Sequence, residues 1–186
     1  MNWLAFSIAA WVCFCLEEGL RNLLRAGSSA PSFVFALLVG VALAAPTGSV
    51  AMAALGLGLL TDLLERVDTT GDLAGTIVGP HALGFLLAGQ LMIAMRPLMN
   101  RRNPMSFGVL GVLGSLVAHA VVVAMMTAHS IFGDSIVWEA KHQVLVRLGA
   151  SLYTGALAMV LSLAIIPLSG FLGFPAAQGR RFGRRA

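Results

Sequence analysis

The stretch AGSSAPSFVFALLVGVALAAPTGSVAMAALGLGLLT, residues 26–61, contains no Asp, Glu, Lys or Arg. As one helix it would be about 54 Å long, against a bilayer hydrocarbon core of about 30 Å. It therefore has to turn back, and Pro46-Thr47-Gly48 is the place. Proline lacks an N–H and disfavours helix in the residue before it, while glycine tolerates a turn. Four further stretches are equally free of charge, residues 1–16, 73–95, 103–133 and 148–179, and each supplies one crossing. Six spans are predicted, at 1–18, 29–45, 48–65, 80–98, 106–128 and 146–173. Lipid requires them to be helices, because their backbone groups need partners within the segment.

Composition agrees. The 186 residues are 58% apolar before the 21 glycines are counted, only 11% are charged, and the mean hydropathy is +0.88. Soluble domains average about 45–50% with glycine included, so disorder, collagen and a soluble enzyme are excluded. The length fits a single polytopic domain, 1–186, with no internal repeat. The twelve Lys and Arg are scattered between apolar runs, which argues against nucleic acid as a partner. Cys13 and Cys15, two apart, face different sides of a helix and read as packing residues. Glu17 and Glu18 follow the first apolar run where a cleavage site would need small residues, so the run is expected to be retained as a span.

Charge also orients the chain. With the amino terminus inside, Arg96, Arg101, Arg102, Arg180, Arg181, Arg184 and Arg185 all fall on one side with no acidic residue among them, and the positive-inside rule puts both termini in the cytoplasm. The tail QGRRFGRRA, residues 178–186, reads as an anchor to topology and anionic lipid. On the other side, Glu17, Arg21 and Arg25, four apart, read as carrying the first helix on into the outer headgroups as a solvated polar turn, and residues 66–79 and 134–147 read as outer segments, the second carrying Trp138 at the interface.

Polar residues inside the spans mark candidate sites. A carboxylate at the depth of Asp62 costs about 2.5–3.5 kcal/mol on the insertion scale unless it is paired. Ala54, Gly58 and Asp62 lie four apart and so share one face, which lets a neighbouring backbone come close. Gly111, Ser115 and His119 repeat the arrangement in the fifth span. Asp62 and His119 stand at matching depths, about 21 and 20 Å up their helices. A direct Asp62–His119 contact is one expectation; separate backbone or hydroxyl partners for each is the other. His81, after Gly79-Pro80 at the start of the fourth span, reads as a capping or interfacial residue. The small-residue rows Ala36/Gly40/Ala44, Ala150/Thr154/Ala158/Ser162 and Gly108/Gly111/Gly114 predict tight helix packing or a partner helix. No nucleophile, metal or phosphate-loop motif is present, so no enzyme activity, cofactor or metal is expected. A pump would need more intramembrane polar groups than Asp62 and His119, although an ion or lipid pathway would run through Asp62.

The segments GLGLLTDLLE, residues 56–65, and GPHALGFLLAGQL, residues 79–91, resemble the signature of the bacterial rod shape-determining MreD family. The matching positions are Gly58, Asp62, Leu63, Gly79, Ala82 and Leu83: a glycine-rich span ending in Asp-Leu-Leu, then a glycine, then Ala-Leu opening the next helix. The chain departs from the family in a longer loop over 65–78 and in His119, where an acidic residue is commoner. The resemblance implies an all-α integral membrane protein, a compact bundle of six transmembrane helices similar to the substrate-binding subunits of energy-coupling-factor transporters. It also implies a non-enzymatic component of the cell-elongation machinery in the bacterial inner membrane. That component would bind an MreC-like partner, in a complex with MreB-like and RodA/penicillin-binding synthase proteins, and would take membrane lipid but no small-molecule substrate. The alternative is a vitamin- or small-molecule-binding transporter subunit, in which Ala5 and Ala9 would offer a small-residue contact to a transmembrane partner.

Overall fold

The computed structural model describes residues 1–66, 75–100, 103–132 and 138–168. Six α-helices follow one another, with no strand among the described residues: α1 (Trp3–Leu24), α2 (Phe33–Ala44), α3 (Thr47–Leu64), α4 (Pro80–Met95), α5 (Pro104–Ile131) and α6 (Ala140–Leu168). A 3-10 turn, Arg96–Leu98, closes α4. Five helices, α4 being counted together with its 3-10 turn as Pro80–Leu98, are long and apolar enough to cross a membrane. The described residues are all-helical in architecture, and the five long apolar helices mark a multi-pass membrane protein.

The helices alternate in direction. Gly58 of α3 sits beside Ala82 of α4, and Gly89 of α4 beside Ala54 and Val50 of α3. Gly84 of α4 meets Ala118 of α5, and Gly114 of α5 meets Met92 of α4. Between α5 and α6, Gly108 lies against Met159 while His119 bonds Ser151. By contrast α2 and α6 run parallel, with Ser32 bonded to Thr154 and Gly40 against Ile165. The predicted small-residue rows thus pack within the chain. The rows in α5 and α6 meet where Gly111 lies against Gly155 and Ala158. Ala5 is buried and Ala9 packs on the core, so they do not form a small-residue face open to a partner.

Two predicted spans need correction. The second, expected at 29–45, is a helix only over Phe33–Ala44, about 18 Å, and alone falls short of a bilayer core. It is the axis of the bundle instead: every residue except Ala44 is buried, which explains why it is apolar all round. Pro46 breaks the long stretch as the sequence predicts, with α2 ending at Ala44 and α3 starting at Thr47. The sixth helix starts at Ala140, not 146, so Lys141, His142 and Arg147 are helical and only part of the outer segment 134–147 is a connection. The first helix, by contrast, runs on as expected, through Glu17, Glu18 and Arg21 to Leu24. Charge limits where a helix sits in lipid; it does not end the helix, and good helix formers carry both past the apolar run.

Candidate functional site

The third helix ends by capping the fourth. Asp62 is 2% exposed, and its two carboxylate oxygens accept the backbone N–H groups of Gly79 at 2.8 Å, His81 at 2.9 Å and Ala82 at 3.1 Å. These are the free donors of the first turn of α4; Pro80, between them, has none to offer. A carboxylate also suits the positive end of the helix dipole. Two glycines make the contact attainable. Gly79 has φ +128°, a conformation that a side chain would strain. At Gly58, one turn before Asp62, a Cβ would lie 2.5 Å from the Ala82 Cα and 2.6 Å from the His81 carbonyl oxygen, so α3 and α4 touch backbone to backbone there.

The ring of His81 continues the network. Its Nδ1 lies 2.9 Å from Asp62 Oδ1 and its Nε2 3.1 Å from Glu65 Oε2. Only the doubly protonated ring donates to both carboxylates at once. The other oxygen of Glu65 faces the Arg147 guanidinium of α6 at 3.7 Å. The result is a row of alternating acid and base, Asp62–His81–Glu65–Arg147, joining α3, α4 and α6.

Of the two expectations for Asp62 and His119, the direct contact fails. Asp62 is satisfied by α4, while His119 Nδ1 lies 2.8 Å from the hydroxyl of Ser151 on α6. Equal depth does not place two residues on facing sides, and the small faces they belong to pack against different neighbours. Ser115 follows His119, its hydroxyl donating to the Gly111 carbonyl at 2.6 Å and approaching that of Ser151. His81 does more than cap or sit at an interface, being buried between two carboxylates. Of the motif positions, Gly58, Asp62, Gly79 and Ala82 meet in one place. Leu63 and Leu83 do not; they are 59% and 41% exposed on the apolar exterior. Arg180, Arg181, Arg184 and Arg185 lie outside the described residues, as does most of the 65–78 loop.

Sequence reasoning missed a second capping carboxylate. Glu17 is half-buried, not a solvated face: its Oε2 accepts the Ser32 hydroxyl and the Val34 N–H of α2, both at 3.0 Å. The exposed pair in this turn is Glu18 with Arg21, 3.5 Å apart. At the opposite end of α2, Arg96 Nε donates to the Ala42 carbonyl, so the buried axial helix has an acid at its amino end and a base at its carboxyl end, matching its dipole. One signal was available: Glu17 precedes Val34 by 17 residues, and Asp62 precedes Gly79 by the same 17.

Around the start of α2 the helix ends enclose a cavity of about 470 Å³. Glu17, Ser32, Glu65, His81, His119 and Arg147 line it, with Phe35 and Phe85 in edge-to-face contact on its apolar side. It exists because α2 starts late: neighbours that continue past its first residue surround space, not helix. Among the described residues no three His, Cys, Asp or Glu side chains converge as metal ligands. The arrangement holds helices together and encloses a polar, acid- and base-lined hollow. No protein-family model, curated protein or solved structure matches this chain.

Proposed function

We propose that this chain is a non-enzymatic component of the bacterial cell-elongation machinery in the cytoplasmic membrane, acting on cell shape and peptidoglycan synthesis by binding an MreC-like protein. The observation that carries the reading is the meeting of Gly58, Asp62, Gly79 and Ala82, positions of the MreD-like motif, in one contact between α3 and α4. A motif whose members build a helix–helix joint fits a scaffold, which needs a fixed shape and no reacting group. In this reading both termini are cytoplasmic, and the MreB-like and RodA/penicillin-binding synthase proteins complete the assembly. Affinity capture of the tagged full chain from detergent-solubilised membranes of its own host tests it: recovery of an MreC-like protein, reduced by Gly58→Val, is the expected result. A chain that recovers no such protein, and whose deletion leaves rod-shaped cells unchanged, overturns it.

The cavity favours a second reading, a substrate-binding subunit of a small-molecule transporter. Its polar and aromatic lining is richer than the sequence, with its single Tyr, suggests. Thermal stabilisation by a vitamin, without recovery of an MreC-like protein, is the result that selects it.

A further inference from the structure

Most polar groups around the cavity are already engaged. Glu17 accepts from Ser32 and Val34, Glu65 accepts from His81, and Thr154 accepts the Ser32 N–H. His119 is bonded to Ser151, and Glu18 pairs with Arg21 at the surface. Arg147 differs. Its side chain is only 13% exposed, its nearest carboxylate oxygen is 3.7 Å away, and its buried Nε has no acceptor among the described residues. A guanidinium carries five donors in a planar fork that fits the oxygens of a carboxylate or phosphate. Keeping such a group in a bundle interior with a buried donor unanswered is costly unless an acceptor arrives. Arg21 and Arg25 share the lining but are engaged, with Glu18 and with the Gly27 carbonyl, so Arg147 is the guanidinium left to answer a ligand. Phe14, Phe35 and Phe85 give the cavity an apolar wall. A volume of about 470 Å³ lies within the ordinary range of small-molecule sites, roughly 300–1,000 Å³.

We propose that this cavity binds an oxyanion, the carboxylate or phosphate of a molecule with an apolar remainder, which the Arg147 guanidinium grips while Phe35 and Phe85 hold the apolar part. The inference goes beyond the scaffold reading and does not depend on it. Binding by the isolated chain tests one and recovery of a partner tests the other.

The test uses the detergent-solubilised full chain carrying Ala150→Cys in the cavity lining, with Cys13→Ala and Cys15→Ala removing the native thiols. Four probes are titrated: inorganic phosphate, benzoate, dihexanoyl phosphatidic acid and, as the uncharged control, dihexanoylglycerol. The readouts are protection of the introduced thiol from a charged alkylating reagent and the shift in melting temperature. At least one anionic probe is expected to protect and to stabilise, and dihexanoylglycerol to do neither. Protection by phosphate or benzoate assigns a free anion; protection by phosphatidic acid alone assigns a lipid headgroup. Arg147→Gln should weaken the binding at least about tenfold, as should Arg147→Lys, which keeps the charge and loses the fork. Lys141→Gln, outside the lining, should leave it unchanged. The proposal is overturned if no anionic probe protects, if the uncharged probe protects equally, or if Lys141→Gln costs as much as Arg147→Gln. Should neither Arg147 variant fold, the probe comparison on the parent chain decides alone.

Discussion

Two hairpins of this bundle use the same joint under different conditions. In α1–α2 the Glu17 carboxylate reaches Ser32 and Val34 at the start of the next helix; in α3–α4 Asp62 reaches Gly79, His81 and Ala82. The second joint uses the shorter acid, is buried, and closes on a glycine that brings the two backbones together. The first uses a longer, half-buried acid at the edge of a cavity, and α1 leaves Leu4, Ile8, Trp11, Val12 and Leu23 exposed along its length. The difference teaches that position along a hairpin does not set the worth of a cap. Burial and the number of donors answered do, because an orphaned donor costs most where water cannot replace its partner.

Removing the acid of the tighter joint should therefore do most damage. Asp62→Ala leaves three N–H groups and the Nδ1 of His81 without an acceptor, and a loss of about 3–5 kcal/mol is expected, as for breaking a buried pair. Unfolding of purified protein in mixed detergent micelles measures it; a loss no larger than that from Glu17→Ala would erase the distinction between the joints. Next, Gly58→Val forces a side chain into the Ala82 backbone and should cost about 1–3 kcal/mol, through separation of α3 from α4. A double-mutant cycle sharpens the assignment of partners: Asp62→Asn with His81→Gln should couple by about 0.5–3 kcal/mol, and Asp62→Asn with His119→Gln should be additive within about 0.5 kcal/mol. The smallest effects belong to α1. Glu17→Gln keeps an acceptor oxygen and should cost about 1 kcal/mol, while Glu18→Gln removes an exposed pair and should change stability by less than about 0.5 kcal/mol.

How much of this was legible follows from which physics is local. The turn at Pro46 and the inward face of Gly58 and Asp62 could be read directly, since proline geometry and the four-residue spacing act within a segment. The depth of Asp62 was legible too, but not its partner: depth fixes height, and only the packing order of the helices fixes which neighbour stands at that height. Of the two expectations, the direct Asp62–His119 contact fails for that reason, and the other holds: Asp62 takes backbone N–H groups and His119 takes the Ser151 hydroxyl. Glu17 escaped because an acid near the end of an apolar run looks the same whether it meets water or the start of another helix. The short reach of α2 was hidden because residues 26–61 are uniformly apolar, and hydropathy does not tell protein-covered from lipid-covered surface.

The late start of α2 leaves the eight positions 25–32 outside any helix, and their main chain must find partners one by one. Ala26 and Ser29 bond each other, Gly27 receives Arg25, the Ser29 hydroxyl reaches Val146 and the Ser32 amide reaches Thr154. Arg25 to Ser28 are exposed, whereas Ser29 to Ser32 are partly or fully covered by protein, so it is in the second half of this ribbon that an unanswered peptide group costs most. An exchange as modest as Thr154→Val, which takes the acceptor from the Ser32 amide, would strike this ribbon harder than many losses among the leucines outside.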